Sequence, residues 1–191
     1  MDPGKGGARE KRAWIVFVDQ SGLSLTPAVR RTWAPKGKTP VLRHRFNRKR
    51  MSMAGALAYR WDGRRARLYF QTCPGSYNDE RLIDFIRQLR RHFRGERVIL
   101  LWDGLSSHWS RRMQDYLAGQ RHWLEVERLP GYAPELNPVE GLWANLKGRE
   151  LANRCEDRIE DVAIVAERGV RRVRSSQDML FGLLHHAGLD L

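Results

Sequence analysis

Short, nearly uninterrupted apolar runs recur along the chain and predict strands. Trp14–Val18 and Val98–Trp102 are apolar at almost every position, which is typical of strands buried on both faces of a sheet. Met51–Trp61 and Arg65–Thr72 are also strand-like, and the Asp62-Gly63 dipeptide between them favours a two-residue hairpin. The sequence therefore predicts a sheet with at least one antiparallel pair of strands.

Other segments follow the helical period instead. Asn78–Arg94 repeats apolar residues at intervals of three and four, which predicts an amphipathic helix. Asn137 followed by Pro138 is a helix-start signal, because asparagine is a good N-cap and proline suits the first helical position. The tail, Ile159–Val173 and Met179–Leu184, predicts one or two further amphipathic helices.

The order of these elements predicts a single α/β domain, with a mixed sheet flanked by helices. The chain has 191 residues, of which 41% are hydrophobic, and this suits one core better than two. Residues 1–12 are rich in glycine and charge, and we expect them to be a disordered lead-in. Residues 13–191 are then the domain itself, ending in the C-terminal helices.

The charge balance indicates a polyanionic partner. Lys and Arg number 35 against 22 Asp and Glu, so the formal net charge is +13, and nucleic acid is the first candidate. The only two cysteines, Cys73 and Cys155, are far apart, which argues against a disulfide framework and a structural zinc site. No apolar stretch suits a signal peptide or a membrane span, so we expect a cytoplasmic protein with no membrane partner.

Three carboxylates are candidates for chemistry. Asp19 and Asp103 each follow a buried strand, and they converge if those strands are neighbours, because ligands bind at the carboxyl ends of strands in α/β sheets. Glu140 lies on its helix away from the apolar stripe, and Lys147 shares its face two turns on. Hard oxygen ligands favour Mg²⁺ or Mn²⁺, and two such ions would support phosphoryl displacement.

Each carboxylate also has a plain structural interpretation. Asp103-Gly104 after a strand is often only a turn, and Glu140 at the third helical position is often half of a capping box. Trp102 and Trp143 sit within apolar patterns, so we expect core positions and not DNA contacts. The residues alone leave the choice between turn, cap and catalysis open.

The densest basic run lies between the first two predicted strands. It is either a solvated edge or a strip that follows the phosphates of nucleic acid beside the active site. The candidate DNA-binding residues are Arg43, Arg45, Arg48, Lys49 and Arg50 of this run, together with Lys147.

Three segments resemble the signature blocks of DDE transposases, most of all the bacterial insertion-sequence branch of the Tc/mariner superfamily. They are Val18–Gly22, Leu101–His108 and Leu129–Trp143. The third contains a specific Pro-x-Leu-Asn-Pro-x-Glu-x-x-Trp core, from Pro134 to Trp143. The similarity extends from about Trp14 to Glu150.

This resemblance implies an RNase H-like fold, two Mg²⁺ or Mn²⁺ ions, hydrolytic nicking at element ends and strand transfer into target DNA. It implies that Asp19, Asp103 and Glu140 are the catalytic, metal-binding triad. The residue after the first aspartate is usually Glu in this family and is Gln20 here. The positions that match supporting residues of the family are His108, Asn137 and Pro138.

The resemblance also carries expectations about partners. Relatives have helix-turn-helix modules before the catalytic domain, so we expect a fragment, one product of a split reading frame, or a decayed copy. DNA ends and target DNA are the implied partners, with a separate helix-turn-helix subunit and a weak or DNA-dependent dimer, in a bacterial, nucleoid-associated setting. Two alternatives stay open: an inactive DNA-binding remnant, and a structure-selective nuclease of the RNase H-like fold.

Overall fold

The predicted apolar runs and helical segments form five strands and six α-helices in the described part of the chain. The computed structural model describes residues 5–44, 49–104, 108–130 and 134–191. The elements in chain order are α1 (Lys5–Lys11), β1 (Trp14–Ser24), β2 (Arg50–Tyr59), β3 (Ala66–Pro74), α2 (Asp79–His92), β4 (Val98–Trp102), α3 (Arg111–Ala118), β5 (Leu124–Arg128), α4 (Pro138–Gly148), α5 (Ile159–Arg174) and α6 (Gln177–His186).

The strands form one mixed sheet in the order β3-β2-β1-β4-β5. β1 pairs antiparallel with β2 over all but its first residue, from Ile15 opposite Tyr59 to Ser24 opposite Arg50. This pairing explains why β1 continues six residues past the apolar run that predicts it. β4 and β5 lie parallel to β1 on its other side, so β1 is the centre of the sheet.

The two faces of the sheet carry separate apolar cores because side chains alternate along each strand. Ile15 and Phe17 of β1 pack with Leu142 of α4 and residues of α5 and α6, on what we call the front face. Val16 and Val18 pack with residues of α2 and α3 on the opposite, back face. A residue's position along β1 or β4 therefore decides which helices it meets.

The expectation of a disordered lead-in over residues 1–12 does not hold for Lys5–Lys11, which forms α1. Ala8 of this helix is 1% exposed and belongs to the front core. The Ala13 N–H donates to Ala8 O at 2.9 Å, which ties the end of the helix to the start of β1. Ala8 packs this helix against the front core. The Gly-rich composition of the segment does not predict this contact. Residues 1–4 lie outside the described residues.

Two further features bear on the cellular setting. Within the described ranges, no helix combines the length and apolarity needed to cross a membrane. Cys73, on β3, and Cys155 are both free thiols.

Candidate active site at the carboxyl ends of the central strands

The parallel pairing of β1 and β4 brings two aspartates to the same edge of the sheet. Phe17 pairs with Leu101, and Asp19 and Asp103 each lie two residues beyond that pair. Asp19 shares the strand parity of the front-core residue Phe17, so it belongs to the side of the sheet that α4 covers. Asp103 follows directly after β4 and its charge acts on Asp19, so the two carboxylates lie at the same edge of the sheet.

Asp19 is a buried carboxylate with one strong partner. The residue is 7% exposed, and Trp143 Nε1 donates a hydrogen bond to its Oδ2 at 2.7 Å. Burial raises the pKa of Asp19 from 3.8 to about 6, while the Trp143 hydrogen bond works in the opposite direction. The negative charges of Glu140 and Asp103 also act to raise this pKa, and the value of about 6 is the net result. Asp19 thus lies within electrostatic reach of both other candidate carboxylates.

The start of α4 is fixed to β1 beside Asp19. Asn137 is the N-cap, and its Oδ1 accepts a hydrogen bond from the Val139 N–H at 3.1 Å. Its Nδ2 donates to Val18 O at 3.4 Å, and Pro138 occupies the first helical position. The resemblance assigns Asn137 and Pro138 supporting roles. Here they start the helix and anchor it one residue before Asp19.

Gly55 makes room for the indole that reaches Asp19. In β2 it lies directly opposite Asp19, and a Cβ at this position would sit 2.8 Å from Trp143 Cη2 and 3.3 Å from Val139 Cγ1. Any larger residue would push the Trp143 ring outward. The close approach of α4 to β2 therefore depends on a glycine at this point.

Glu140 stands in the first turn of α4 and is exposed. Its neighbours Val139, Leu142 and Trp143 are buried, so the helix turns the carboxylate away from its own core face. The capping contact at this helix start is the one made by Asn137. The charge of Glu140 acts on the buried carboxylate of Asp19.

Asp103 is more open than Asp19. Its side chain is 42% exposed, and its Oδ1 lies 2.7 Å from Nδ1 of His108, which is 1% exposed. Trp109 Nε1 donates to the Asp103 carbonyl oxygen at 3.3 Å. The resemblance also assigns His108 a supporting role, and its ring lies against one oxygen of this carboxylate.

Two of the basic candidates lie beside the part of β1 that follows Asp19. Lys147 Nζ donates to Ser21 Oγ at 2.8 Å, two residues past Asp19 on β1. Arg50 pairs with Ser24, five residues past Asp19, or about 17 Å at the usual rise of a strand. Arg43, Lys49 and Arg50 are exposed. Arg45 and Arg48 lie outside the described residues.

The sequence also matches a known family. The model of the family described as DDE superfamily endonuclease matches residues 14–162, which is most of the chain. This chain belongs to the DDE superfamily endonuclease family. The sequence-based assignment to the DDE family is confirmed. No curated protein matches the sequence.

Solved structures with this fold include complexes of a mariner transposase. The Mos1 mariner paired end complex with Mn has 21% identity and a TM-score of 0.63, with 96% of this chain and 57% of that chain covered. The Mos1 strand transfer complex has 21% identity and a TM-score of 0.63, covering 93% and 51%. The Mos1 transposase catalytic domain with Raltegravir and Mn has 18% identity and a TM-score of 0.58, covering 96% and 85%.

These similarities confirm the predicted fold class, an RNase H-like mixed sheet flanked by helices. The chain spans just over half the length of the first two Mos1 chains. It covers a larger share of the isolated Mos1 catalytic domain.

The donor set at the site suits a hard divalent cation. Three carboxylates supply oxygen ligands, which Mg²⁺ and Mn²⁺ prefer. Burial and the neighbouring negative charges destabilise the ionised form of Asp19, and a bound cation would stabilise it. In the ranges that the structure describes, no three His, Cys, Asp or Glu side chains are already grouped as a metal site. The residues fit a divalent metal in chemistry, and metal binding would have to draw the carboxylates together.

Sequence reasoning missed two residues that shape this site. Trp143 is buried, as expected of a core residue, yet its ring nitrogen is also the partner of Asp19. Arg128, at the end of β5, lies over the Trp109 ring at 5.7 Å. A Cβ on Gly104 would be 2.7 Å from Arg128 Nε, so the guanidinium lies against the residue that follows Asp103. No local pattern in the sequence signals either contact.

Proposed function

We propose that this chain is the catalytic domain of a DNA transposase, which nicks DNA at the ends of a mobile element and transfers the strand into target DNA. The observation that carries the proposal is the position of Asp19 beside Asp103, with Glu140 of α4 acting on the same buried carboxylate. Membership of the DDE superfamily endonucleases supports the same chemistry.

Asp19, Asp103 and Glu140 are the residues that would hold two Mg²⁺ or Mn²⁺ ions. When bound, such ions activate a water or DNA hydroxyl and stabilise the leaving oxygen of an in-line phosphoryl displacement. Trp143 holds one oxygen of Asp19 in place by its 2.7 Å hydrogen bond. Asn137 holds the helix that carries Glu140 against β1. The protein thus supplies three acidic groups, one on β1, one directly after β4 and one in the first turn of α4.

DNA is the proposed substrate. The net charge of +13 favours a polyanion, and Lys147 contacts β1 two residues past Asp19. One similar structure is the Mos1 transposase paired-end complex with the left transposon end, so DNA ends are bound by a protein of this fold. We also propose that the protein forms a DNA-dependent dimer and acts with a separate helix-turn-helix subunit.

The direct test is metal-dependent nicking. Purified protein is incubated with Mg²⁺ or Mn²⁺ and a labelled duplex that carries the inverted repeats flanking its gene. The Asp103→Asn variant should lose nicking by at least about a hundredfold, because the charge stabilisation by such an ion is worth several kcal/mol. Asp115→Asn, which removes an exposed carboxylate of α3, is the matched control and should keep full activity. Retained nicking in Asp103→Asn would refute the assignment.

Two other outcomes separate this proposal from its alternatives. Cleavage of a four-way junction without cleavage of element ends would indicate a structure-selective nuclease. Salt-dependent DNA binding with no metal-dependent cleavage, even with a helix-turn-helix subunit added in trans, would indicate an inactive remnant.

A further inference from the structure

Arg128 places a positive charge at the edge of the sheet that carries the acidic site. It is the last residue of β5, and in the parallel pairing of β5 with β4 it lies opposite Trp102, the residue before Asp103. The Leu129 N–H donates to Trp102 O at 2.9 Å, which fixes the end of β5 to the end of β4. The backbone of Arg128 is therefore held beside the segment that carries Asp103.

Two neighbours hold the guanidinium of Arg128 in place. Its Cζ lies 5.7 Å from the centre of the Trp109 ring, which is within the range of a cation–π contact. Trp109 is itself anchored, since its Nε1 donates to Asp103 O at 3.3 Å. A Cβ on Gly104 would be 2.7 Å from Arg128 Nε and 2.8 Å from its Cζ. Because Gly104 has no side chain, the guanidinium can lie against the backbone directly after Asp103.

The charge of Arg128 is not neutralised by an ion pair within the described ranges, and the residue is exposed. Arg172 shows the contrasting arrangement, because its Nε and a terminal nitrogen donate to the two oxygens of Glu150 at 2.7 Å and 3.0 Å. A guanidinium is a planar fork of donors that matches two oxygens of a carboxylate or of a phosphate. Arg128 therefore has the geometry to bind an oxyanion that reaches this edge of the sheet.

We propose that Arg128 binds a phosphate of the DNA strand that is cut, within one or two phosphates of the nicked bond. This inference rests on the proposed function. The guanidinium lies against Gly104, whose Cα is about 3.8 Å from that of Asp103. Along one DNA strand a phosphate recurs about every 3.4 Å of helix axis. A phosphate bound by Arg128 is thus close enough to set the position of the bond that is cut beside Asp103.

The position of Arg128 in the sheet supports a role in alignment. The strands β1, β4 and β5 are neighbours in that order, so Asp103 comes between Asp19 and Arg128 along this edge. Stacking on Trp109 restricts the guanidinium before DNA arrives, so less conformational freedom is lost when a phosphate binds. Arg128 therefore differs from a mobile surface charge, which would attract DNA without fixing its register.

The test removes single charges from the protein and from the DNA together. Nicking by the purified full chain with Mg²⁺ is measured on duplexes in which one phosphate near the nicked bond is replaced by a neutral methylphosphonate, one position at a time. For the wild type, one such replacement should slow nicking by about 10- to 100-fold, as expected for the loss of a hydrogen bond to a charged group. Arg128→Gln should be slowed by a similar factor on unmodified DNA. On this variant the same methylphosphonate should have less than about a threefold effect, because the contact is already absent.

Two further variants control for charge alone. Arg128→Lys keeps the positive charge but lacks the planar fork, so it should nick at a rate between those of the wild type and Arg128→Gln. Arg121→Gln removes an exposed arginine that precedes β5, at the opposite edge of the sheet, and should respond to every methylphosphonate as the wild type does. Equal methylphosphonate sensitivity of the wild type and Arg128→Gln at every position overturns the proposal, as does an unchanged nicking rate in Arg128→Gln.

A second measurement needs neither cleavage nor metal. The affinity for the same duplex is measured at several salt concentrations, and Arg128→Gln should reduce the slope of log affinity against log salt by about one, while Arg121→Gln should not. If Arg128→Gln fails to fold, side-chain ¹⁵N spectra of the wild type decide, since the Arg128 Nε signal should shift when DNA is added. An unchanged slope or an unshifted signal overturns the proposal. A reduced slope in a protein that never nicks DNA would count against the proposed function alone.

Discussion

Replacing Trp143 by Phe removes the one side-chain donor that the buried Asp19 carboxylate has in the described part of the chain. The wild-type hydrogen bond joins Trp143 Nε1 to Asp19 Oδ2 at 2.7 Å, inside a site where Asp19 is 7% exposed. Phenylalanine keeps an aromatic ring at the position but has no N–H. The substitution should therefore penalise the ionised form of Asp19 more than the protonated form.

The magnitude follows from the charge of the acceptor. A hydrogen bond to a charged group contributes about 1.5–3 kcal/mol to stability, and one between neutral groups about 1 kcal/mol. The difference, about 1–2 kcal/mol, corresponds to an Asp19 pKa about one pH unit higher in the variant. Since the wild-type pKa is about 6, the variant should titrate near pH 7.

Two measurements on the metal-free protein check this prediction. Carbon-13 NMR of labelled aspartate gives the Asp19 pKa directly. Urea unfolding of Trp143→Phe should show a loss of stability at pH 8 that exceeds the loss at pH 4.5 by about 1–2 kcal/mol, because packing losses are common to both pH values. In an Asp19→Asn background the two losses should be equal.

Trp102→Phe is the matched control. Trp102 is also fully buried at this sheet edge, but its ring nitrogen has no hydrogen-bond partner within the described ranges. Its replacement should leave the Asp19 pKa near 6. An Asp19 pKa that is unchanged or lower in Trp143→Phe would show that the reasoning about this carboxylate is wrong.

Further predictions concern packing, pH and DNA. Gly55→Ala should destabilise the protein by about 1–3 kcal/mol in urea unfolding, because the new Cβ meets Trp143. Gly22→Ala is the control: its new Cβ meets no atom within 4 Å, so stability should change by less than about 0.5 kcal/mol. Because folding raises the Asp19 pKa from 3.8 to about 6, the folded state binds that proton more tightly. Stability of the metal-free protein should thus fall by about 3 kcal/mol between about pH 3 and pH 7 relative to Asp19→Asn, and then level off; a rise would contradict the burial argument. Lys147→Ala should reduce the slope of log affinity for DNA against log salt by about one, and an unchanged slope would remove Lys147 from the DNA surface.

Those parts of the fold that depend on local pattern are predictable from the sequence. The apolar run Val98–Trp102 coincides with β4, and Asn137 is the N-cap that its neighbour Pro138 indicates. The position of Asp19 and Asp103 at one edge of the sheet then follows from the parallel pairing of two buried strands. Local signals of this kind are strong because each depends on a few consecutive residues.

The pattern of apolar and polar residues does not reveal contacts between distant segments of the chain. Trp143 belongs to the apolar stripe of α4, and nothing in that stripe shows that its ring nitrogen faces a carboxylate 124 positions earlier. Gly55 and Arg128 likewise acquire their roles only when β2 comes beside β1 and β5 beside β4. Such roles depend on which side chain meets which across the sheet, and one sequence does not carry that information.

The most direct test of the account is a crystal structure of this protein grown with Mn²⁺, using anomalous scattering to locate the ions. The account predicts Mn²⁺ within about 2.0–2.3 Å of carboxylate oxygens from Asp19, Asp103 and Glu140, with Glu140 drawn toward the strand ends. Manganese bound elsewhere, or bound here with Glu140 left outside the coordination sphere, would contradict the claim that these three residues form one catalytic centre.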